Sequence, residues 1–352
     1  MKVLYLTKYT RMAGSSRMRS YQYFPYLEKA DFHVTVMPFF DDAYLKDFYS
    51  GKKNISTVLK SYLRRFFNLF SVLGYDKVVI EKEIFPFLPA FAEWMLKSFG
   101  IKYIVDYDDA IFHNYDQSSN PVIKKFLENK IATVMRYSGT VIAGNEYLAE
   151  YASKSGAKNI HIIPTVIDLD RYPIKKDSDP EKFIVGWIGT KTTFEKHLLP
   201  CKDWIKELQK QDPDIEFHIV GITDDMDLGK NVKYIQWTEN TEVSEILKMD
   251  VGIMPLQDSE WEKGKCAYKL IQYAASGIPG VASDVGMNKE VCIDNETGFI
   301  AKNTTEWIEK IQFLKKDHQK RMQMGQNARK LVEDIFCIQV TAKRWQEILK
   351  KA

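Results

Sequence analysis

Short apolar runs recur along this chain, and stretches with a one-sided apolar pattern of helical period fall between them. "KVLYLT" reads as a strand, "SSRMRSYQYFPYLEK" as a helix reset near Pro25, and "HVTVMPF" as a strand. "KVVIEK" and "YIVDYDD" follow, separated by the helix "LPAFAEWMLKSFG", and then "TVIAGN" and "IHIIPT" with "EYLAEYASKSG" between them. Strand and helix in series need crossover connections, which build a parallel sheet covered by helices on both faces. The polar stretch "VIDLDRYPIKKDSDPEK", with two prolines, has the composition of a linker. Beyond it the pattern restarts: "FIVGWIG", "EFHIVG", "VKYIQW", "VGIMPL" and "GVAS" read as strands, with helices between. From Trp307 onward the pattern is helical, with breaks expected near Gly325 and Phe336. The expectation is two doubly wound α/β domains, over 1–170 and 171–336, with a last helix over about 337–352.

Composition supports two full cores. The 352 residues are 45% hydrophobic and 28% charged, and the net charge of +3 does not point to bulk nucleic-acid binding. The cysteines Cys201, Cys266, Cys292 and Cys337 show neither metal nor disulfide spacing, which fits a reducing compartment. The N-terminus enters a strand directly, with too short an apolar run for a signal peptide. No apolar stretch has the length to span a bilayer, so a cytoplasmic location is expected, with membrane association left open.

The chemistry concentrates in "EKGKCAYKLIQYAASGIPGVAS". Gly264 ends a loop, Cys266 to Ala275 is predicted helical, Ser276-Gly277 stops it and Pro279 prevents continuation. A loop feeding a helix start presents unpaired N–H groups, here those of Cys266 and Ala267, to an anion. Lys265 and Lys269 are four apart and share a helix side, and Gln272 continues the stripe. That pattern points to a bound phosphate with a hydroxyl-rich group behind it. The turn Gly189-Thr190 with Lys191, after the strand "FIVGWIG", is a second phosphate-facing candidate. Trp237, closing "VKYIQW", is counted with the substrate-binding residues.

In the first half, Gly14 and the following "SSRMRS" are expected to cap a helix aimed at ligand, with Arg17 and Arg19 as phosphate contacts. Asp106, Asp108 and Asp109 cluster at a strand end, followed by His113, and could hold sugar hydroxyls or a metal. Glu81 and Glu83, at another strand end, are weaker candidates, for acceptor contacts. The segment "GKKNISTVLKSYLRRFFNLF" has five basic residues and no acidic one. Val58, Leu59, Tyr62, Leu63, Phe66, Phe67 and Phe70 share a helical side flanked by Lys60, Arg64 and Arg65. Either this helix packs on the sheet with a solvated basic edge, or residues 51–70 rest on an anionic membrane surface.

The segment "DVGIMPLQDSEWEKGKCAYKLIQYAASGIPGVASDVGMNKEVCIDNETGFI" resembles the C-terminal signature of the GT-B glycosyltransferases, most closely the retaining family 4 (glycosyl transferases group 1). "TKYTRMAGSSRMRSYQYFPYLEK" resembles that family's first loop and helix, and "VDYDDAIFH" its acidic segment. Aligned on Gly277-Ile278-Pro279, the family's two usual glutamates fall at Gly264 and Gln272. Lys265, Lys269, Gln272 and Tyr273 are similar instead to a subgroup that carries lysines there.

The resemblance implies two Rossmann-like domains facing a central cleft, with the C-terminal helix packing back on the N-terminal domain. It implies transfer of a sugar, with retention, from a UDP- or GDP-linked donor to a glycan or lipid-linked hydroxyl acceptor in surface polysaccharide or glycolipid synthesis. No metal and no other cofactor is expected. Lys265, Lys269, Asp109 and His113 are then the catalytic candidates. Gly14, Arg17, Asp108, Gly189, Thr190, Lys191, Trp237, Cys266, Ala267 and Gln272 are the substrate-binding ones. A nucleotide-sugar epimerase on the same fold and a non-catalytic nucleotide-sugar binder remain as alternatives.

Overall fold

A computed structural model describes residues 1–52, 54–176 and 182–352. Part of the expected linker, 177–181, lies outside the described residues. The chain divides into two compact units: Met1–Thr165 with Gly264–Cys266 and Thr341–Ala352, and Val166–Lys263 with Ala267–Val340.

The first unit holds β1 (Lys2–Leu6), β2 (His33–Val36), β3 (Lys77–Glu81), β4 (Tyr103–Tyr107), β5 (Thr140–Ala143) and β6 (Ile160–Ile162). They form one sheet in the order β2-β1-β3-β4-β5-β6, every pairing parallel. Continuous apolar strands such as β1 and β4 are buried on both faces, as helix-covered parallel strands must be. The C-terminal stretch belongs to this unit: Trp345 is buried edge-on to Tyr23, and the Tyr23 hydroxyl lies 2.9 Å from Thr341 Oγ1.

The second unit holds β7 (Phe183–Ile188), β8 (Ile215–Val220), β9 (Val232–Ile235), β10 (Val251–Met254), β11 (Gly280–Ser283) and β12 (Gly298–Ala301). Their order is β12-β11-β10-β7-β8-β9, again all parallel. Trp204 stacks on Trp307 at 5.3 Å in its core. Strand β12 was not anticipated: "GFIA" is short and follows a turn, and only its pairing with β11 makes it a strand.

Three expectations about helices are corrected. The first loop leads to separate pieces, Gly14–Arg19, a 3₁₀ turn at Tyr21–Tyr23, and Phe24–Glu28 with Pro25 in its first turn. The helix after the lysine loop begins at Tyr268, not Cys266, because Ala267 is left-handed (φ 49°). Of the two C-terminal breaks, one falls at Asp317 rather than Gly325, which lies inside the His318–Asp334 helix, and the other falls near Phe336 as expected, before the Ile338–Lys351 helix. Among the described residues no helix is long and apolar enough to cross a membrane.

Candidate functional site

In a doubly wound sheet the loops leaving adjacent strands diverge where the strand order reverses, and ligands bind there at the carboxyl ends. In the first unit that point lies between β1 and β3. A dense polar cluster fills it. Ser16 Oγ donates to Glu81 at 2.7 Å, and Lys8 N–H donates to the same carboxylate at 3.1 Å. Lys82 follows β3 in the left-handed region (φ 70°). Its Nζ lies 2.9 Å from Asp108 Oδ1 and 3.9 Å from Asp109 Oδ2, and donates to Ser15 Oγ at 3.2 Å. Ser15 in turn donates to Asp108 Oδ2 at 2.8 Å.

Electrostatics separates these carboxylates. Burial pushes the Asp108 carboxyl up, but the ammonium of Lys82, the charge of Arg19 and two hydrogen bonds outweigh it and hold the group below its ordinary range. Asp109 is raised by burial and then by Asp108, against the pull of Lys82 and Lys265. It is the more open of the two, with a side chain 32% exposed. Two neighbouring carboxyls pushed in opposite directions are the arrangement from which acid and base roles are assigned.

Several first-half candidates are engaged within the protein instead. Arg19 is fully buried, pairs through two nitrogens with Asp106 and donates to the Ile163 carbonyl at 2.8 Å. Arg17 is also buried. His113 is held from both sides, by Asp116 at Nδ1 and the Tyr147 hydroxyl at Nε2, each at 2.9 Å. Glu83 accepts from Tyr115 at 2.8 Å and pairs with buried Lys130. Ser15 and Ser16 do not cap their helix, whose cap position is Ala13 with no side-chain bond. A Cβ at Gly14 would meet nothing within 4 Å, so internal packing does not require a glycine there.

Gly264–Cys266 groups with the first unit. A Cβ at Gly264 would collide with Ala110, Asn145 Nδ2 donates to the Lys265 carbonyl at 3.1 Å, and Cys266 Sγ donates to the Asp108 carbonyl at 3.2 Å. Cys266 is therefore buried with its thiol raised by burial to about 12, and it is no free helix-end donor.

In the second unit the reversal lies between β7 and β10. The turn after β7 is Gly189-Thr190, and Thr190 and Thr193 close a reciprocal capping box around exposed Lys191. Gly189 is needed here, since a Cβ would strike Trp187 and Thr193, and Gly221 (φ 105°) packs against the Gly189 carbonyl. Lys269, half-buried in the first turn of the Tyr268–Ala275 helix, sets its Nζ 5.4 Å above the Trp187 ring of β7. Lys269 and Lys191 thus flank one switch point.

Gln272 does not continue that stripe as an open face. It is 2% exposed and donates Nε2 to the Tyr172 hydroxyl at 3.0 Å. Tyr172 donates to Glu242 at 2.9 Å, which also accepts from the Trp237 indole at 2.8 Å. Gln272 and Trp237 therefore belong to one internal chain of hydrogen bonds.

The sequence reasoning passed over Ser15 and Lys82 as chemical groups. Lys82 ends an apolar strand beside a reversal of strand order, which is the signal that could have marked it. It also passed over buried Glu262, which pairs with Lys196 at 2.6 Å and lies 3.4 Å from His197 Nε2. Among the described residues no group of three or more His, Cys, Asp and Glu side chains is placed to hold a metal ion.

Residues 172–331 match the family model described as "Glycosyl transferases group 1". The matched segment spans most of the second unit. Solved structures extend the likeness over both units and show the GT-B fold. Sucrose-phosphate synthase from Thermosynechococcus elongatus superposes with a TM-score of 0.74 at 15% identity, covering 100% of this chain and 98% of that one. HepE from Anabaena, solved in complex with UDP and glucose, gives 0.71 at 15% identity with full coverage of both chains. In sequence, the TuaH protein of Bacillus subtilis (strain 168), described as a putative teichuronic acid biosynthesis glycosyltransferase, is 21% identical over 176 residues. That match covers 46% of this chain and 44% of the relative's length. Lys269, Gln272 and Lys191 all lie within the segment matched to the group 1 domain.

Proposed function

We propose that this protein transfers a sugar from a nucleoside-diphosphate donor to a hydroxyl of a glycan or lipid-linked acceptor, with retention of anomeric configuration and without a metal. The observation that carries the reading is the placement of Lys269 and Lys191 on either side of the β7/β10 switch point, within the segment that matches the group 1 model. HepE, of the same fold, was solved with UDP-glucose, which supports a UDP-linked donor. The likeness to TuaH supports a bacterial surface glycan as the acceptor class.

In this scheme the bond from the sugar C1 to the diphosphate oxygen breaks, and negative charge grows on the β-phosphate. Lys269 meets that charge, with Lys191 as a further cation. The acceptor oxygen bonds C1 on the face the leaving group vacates, and its proton passes to the departing phosphate oxygen. Asp109, the open and raised carboxyl of the first unit, holds acceptor or sugar hydroxyls.

Lys269→Ala tests the reading. It should lower turnover about a hundredfold, the usual cost of losing one transition-state donor, while donor affinity changes much less. Thermal shift against UDP, GDP, ADP and their sugars selects the donor first, since a ligand at 100 times its Kd adds about 2.7 kcal/mol. Acceptor-dependent release of the nucleoside diphosphate then measures turnover. Near-normal turnover in the variant removes Lys269 from the chemistry.

A further inference from the structure

The Ile55–Asn68 helix is mounted with its apolar side outward. At 100° per residue, Ile55, Leu59, Leu63, Phe66 and Phe67 fall on one side, and Phe70 and Leu73 of the following 3₁₀ segment continue it. All seven are exposed, Phe67 at 65%, Phe70 at 70% and Leu73 at 80%. The opposite side, which packs on the first unit, carries Ser61, Arg65, Leu69 and Val72, all buried. Arg65 is buried and donates to the Thr7 carbonyl at 2.6 Å, whereas Arg64, 40% exposed, pairs with Asp41 at 3.0 Å. This is the reverse of a surface helix, whose apolar stripe normally faces the core.

The outward patch extends beyond the helix. Tyr62 stacks on Phe85, and Phe85 stacks on exposed Phe91; Phe87, Leu88 and Trp94, close to these in sequence, are exposed as well. A soluble monomer seldom leaves so much contiguous apolar surface in water. Its charge says what covers it. Residues 48–75 contain five basic side chains and no acidic one, with Lys52 and Lys60 exposed; Lys53 lies outside the described residues. A second copy meeting the same face would set basic against basic, which disfavours self-pairing.

We infer that this face docks the protein on an anionic lipid bilayer, with the Ile55–Asn68 helix lying in the interface and Phe67, Phe70, Leu73 and Trp94 entering the acyl boundary. Lys52 and Lys60 meet the lipid phosphates. The inference is independent of the transferase reading, because it is tested by partitioning alone.

The test is cosedimentation with vesicles of phosphatidylcholine containing about one-third phosphatidylglycerol, compared with pure phosphatidylcholine. The wild type should bind the anionic vesicles, more weakly at high salt. Phe67→Ser with Phe70→Ser and Leu73→Ser should lose at least tenfold in partitioning, and Lys52→Ser with Lys60→Ser a smaller, salt-dependent part. The three apolar residues are outward, so their replacement leaves the fold intact, which unfolding curves verify. In an independent measurement, lipids brominated in the acyl chain should quench tryptophan fluorescence of the wild type, and Trp94→Phe should remove part of that quenching. Equal partitioning of wild type and triple variant, or no binding by the wild type, overturns the proposal. Dimerisation seen by light scattering and abolished in the triple variant overturns it too, by assigning the face to a second copy.

Discussion

Lys82 and Gln272 show what single side chains decide. Lys82 is buried beside Asp108, Asp109 and the Ser15 hydroxyl, and the carboxylates hold its ammonium charged against the cost of burial. Removing one partner of a buried ion pair leaves the other stranded, at a typical cost of about 3–5 kcal/mol. Lys82→Met should therefore lower unfolding stability by that order in urea titrations, where an exposed lysine would cost almost nothing. Gln272 yields a prediction opposite to that drawn from family likeness alone. Glutamate is the family's usual residue there, so likeness alone would leave the change tolerated. In the structure the amide N–H donates to Tyr172, whose own proton goes to Glu242. Gln272→Glu removes the donor and adds a buried carboxylate with no proton to accept, so it should destabilise the second unit by about 1–3 kcal/mol or more. Denaturant midpoints of the two proteins settle it, and an unchanged midpoint would mean that the hydrogen-bond chain rearranges freely.

At the scale of elements, glycine placement matters more than helix propensity. Gly325 reads in sequence as a helix breaker, yet it lies mid-helix because the Gly277 carbonyl occupies the space its Cβ would need. Gly325→Ala gains up to about 1 kcal/mol of intrinsic propensity. The forced separation from Gly277 should outweigh that and give a net loss of about 1–3 kcal/mol, read as a fall in thermal midpoint. The lysine helix illustrates the same dependence on neighbours. Its apolar periodicity and its Gly-Ile-Pro stop were legible, whereas its start was not. The left-handed Ala267 and the burial of Cys266 against the Asp108 carbonyl are set by contacts distant in sequence.

For the whole molecule, acid stability depends on particular carboxylates held ionised by the fold, beside the positive repulsion that grows as the acidic side chains are protonated. Glu216 on β8 is one. Burial raises its pKa, but hydrogen bonds from Lys233, His218 and Lys182 outweigh that and depress it from 4.5 to about 2. A folded-state pKa below the unfolded value means a contribution that is whole above about 4.5 and is lost as the pH falls toward 2. Unfolding titrations should show stability declining through that window, and Glu216→Gln should flatten the decline while lowering stability at neutral pH. A slope unchanged by the substitution would place the acid sensitivity elsewhere. By itself the sequence determined eleven of the twelve strands, their parallel winding into two sheets and the lysine helix, because apolar periodicity and turn residues are local signals. It also showed that residues 51–70 are basic and amphipathic, but an amphipathic pattern does not say which side faces inward. Only tertiary packing decided that Arg65 turns in while Phe67 and Phe70 turn out, that His113 and Gln272 are bound within the protein, and that Lys82 joins Ser15 and Asp108. Each of these outcomes depends on partners far away in the chain, and a buried polar group must take whatever partner the fold brings to it.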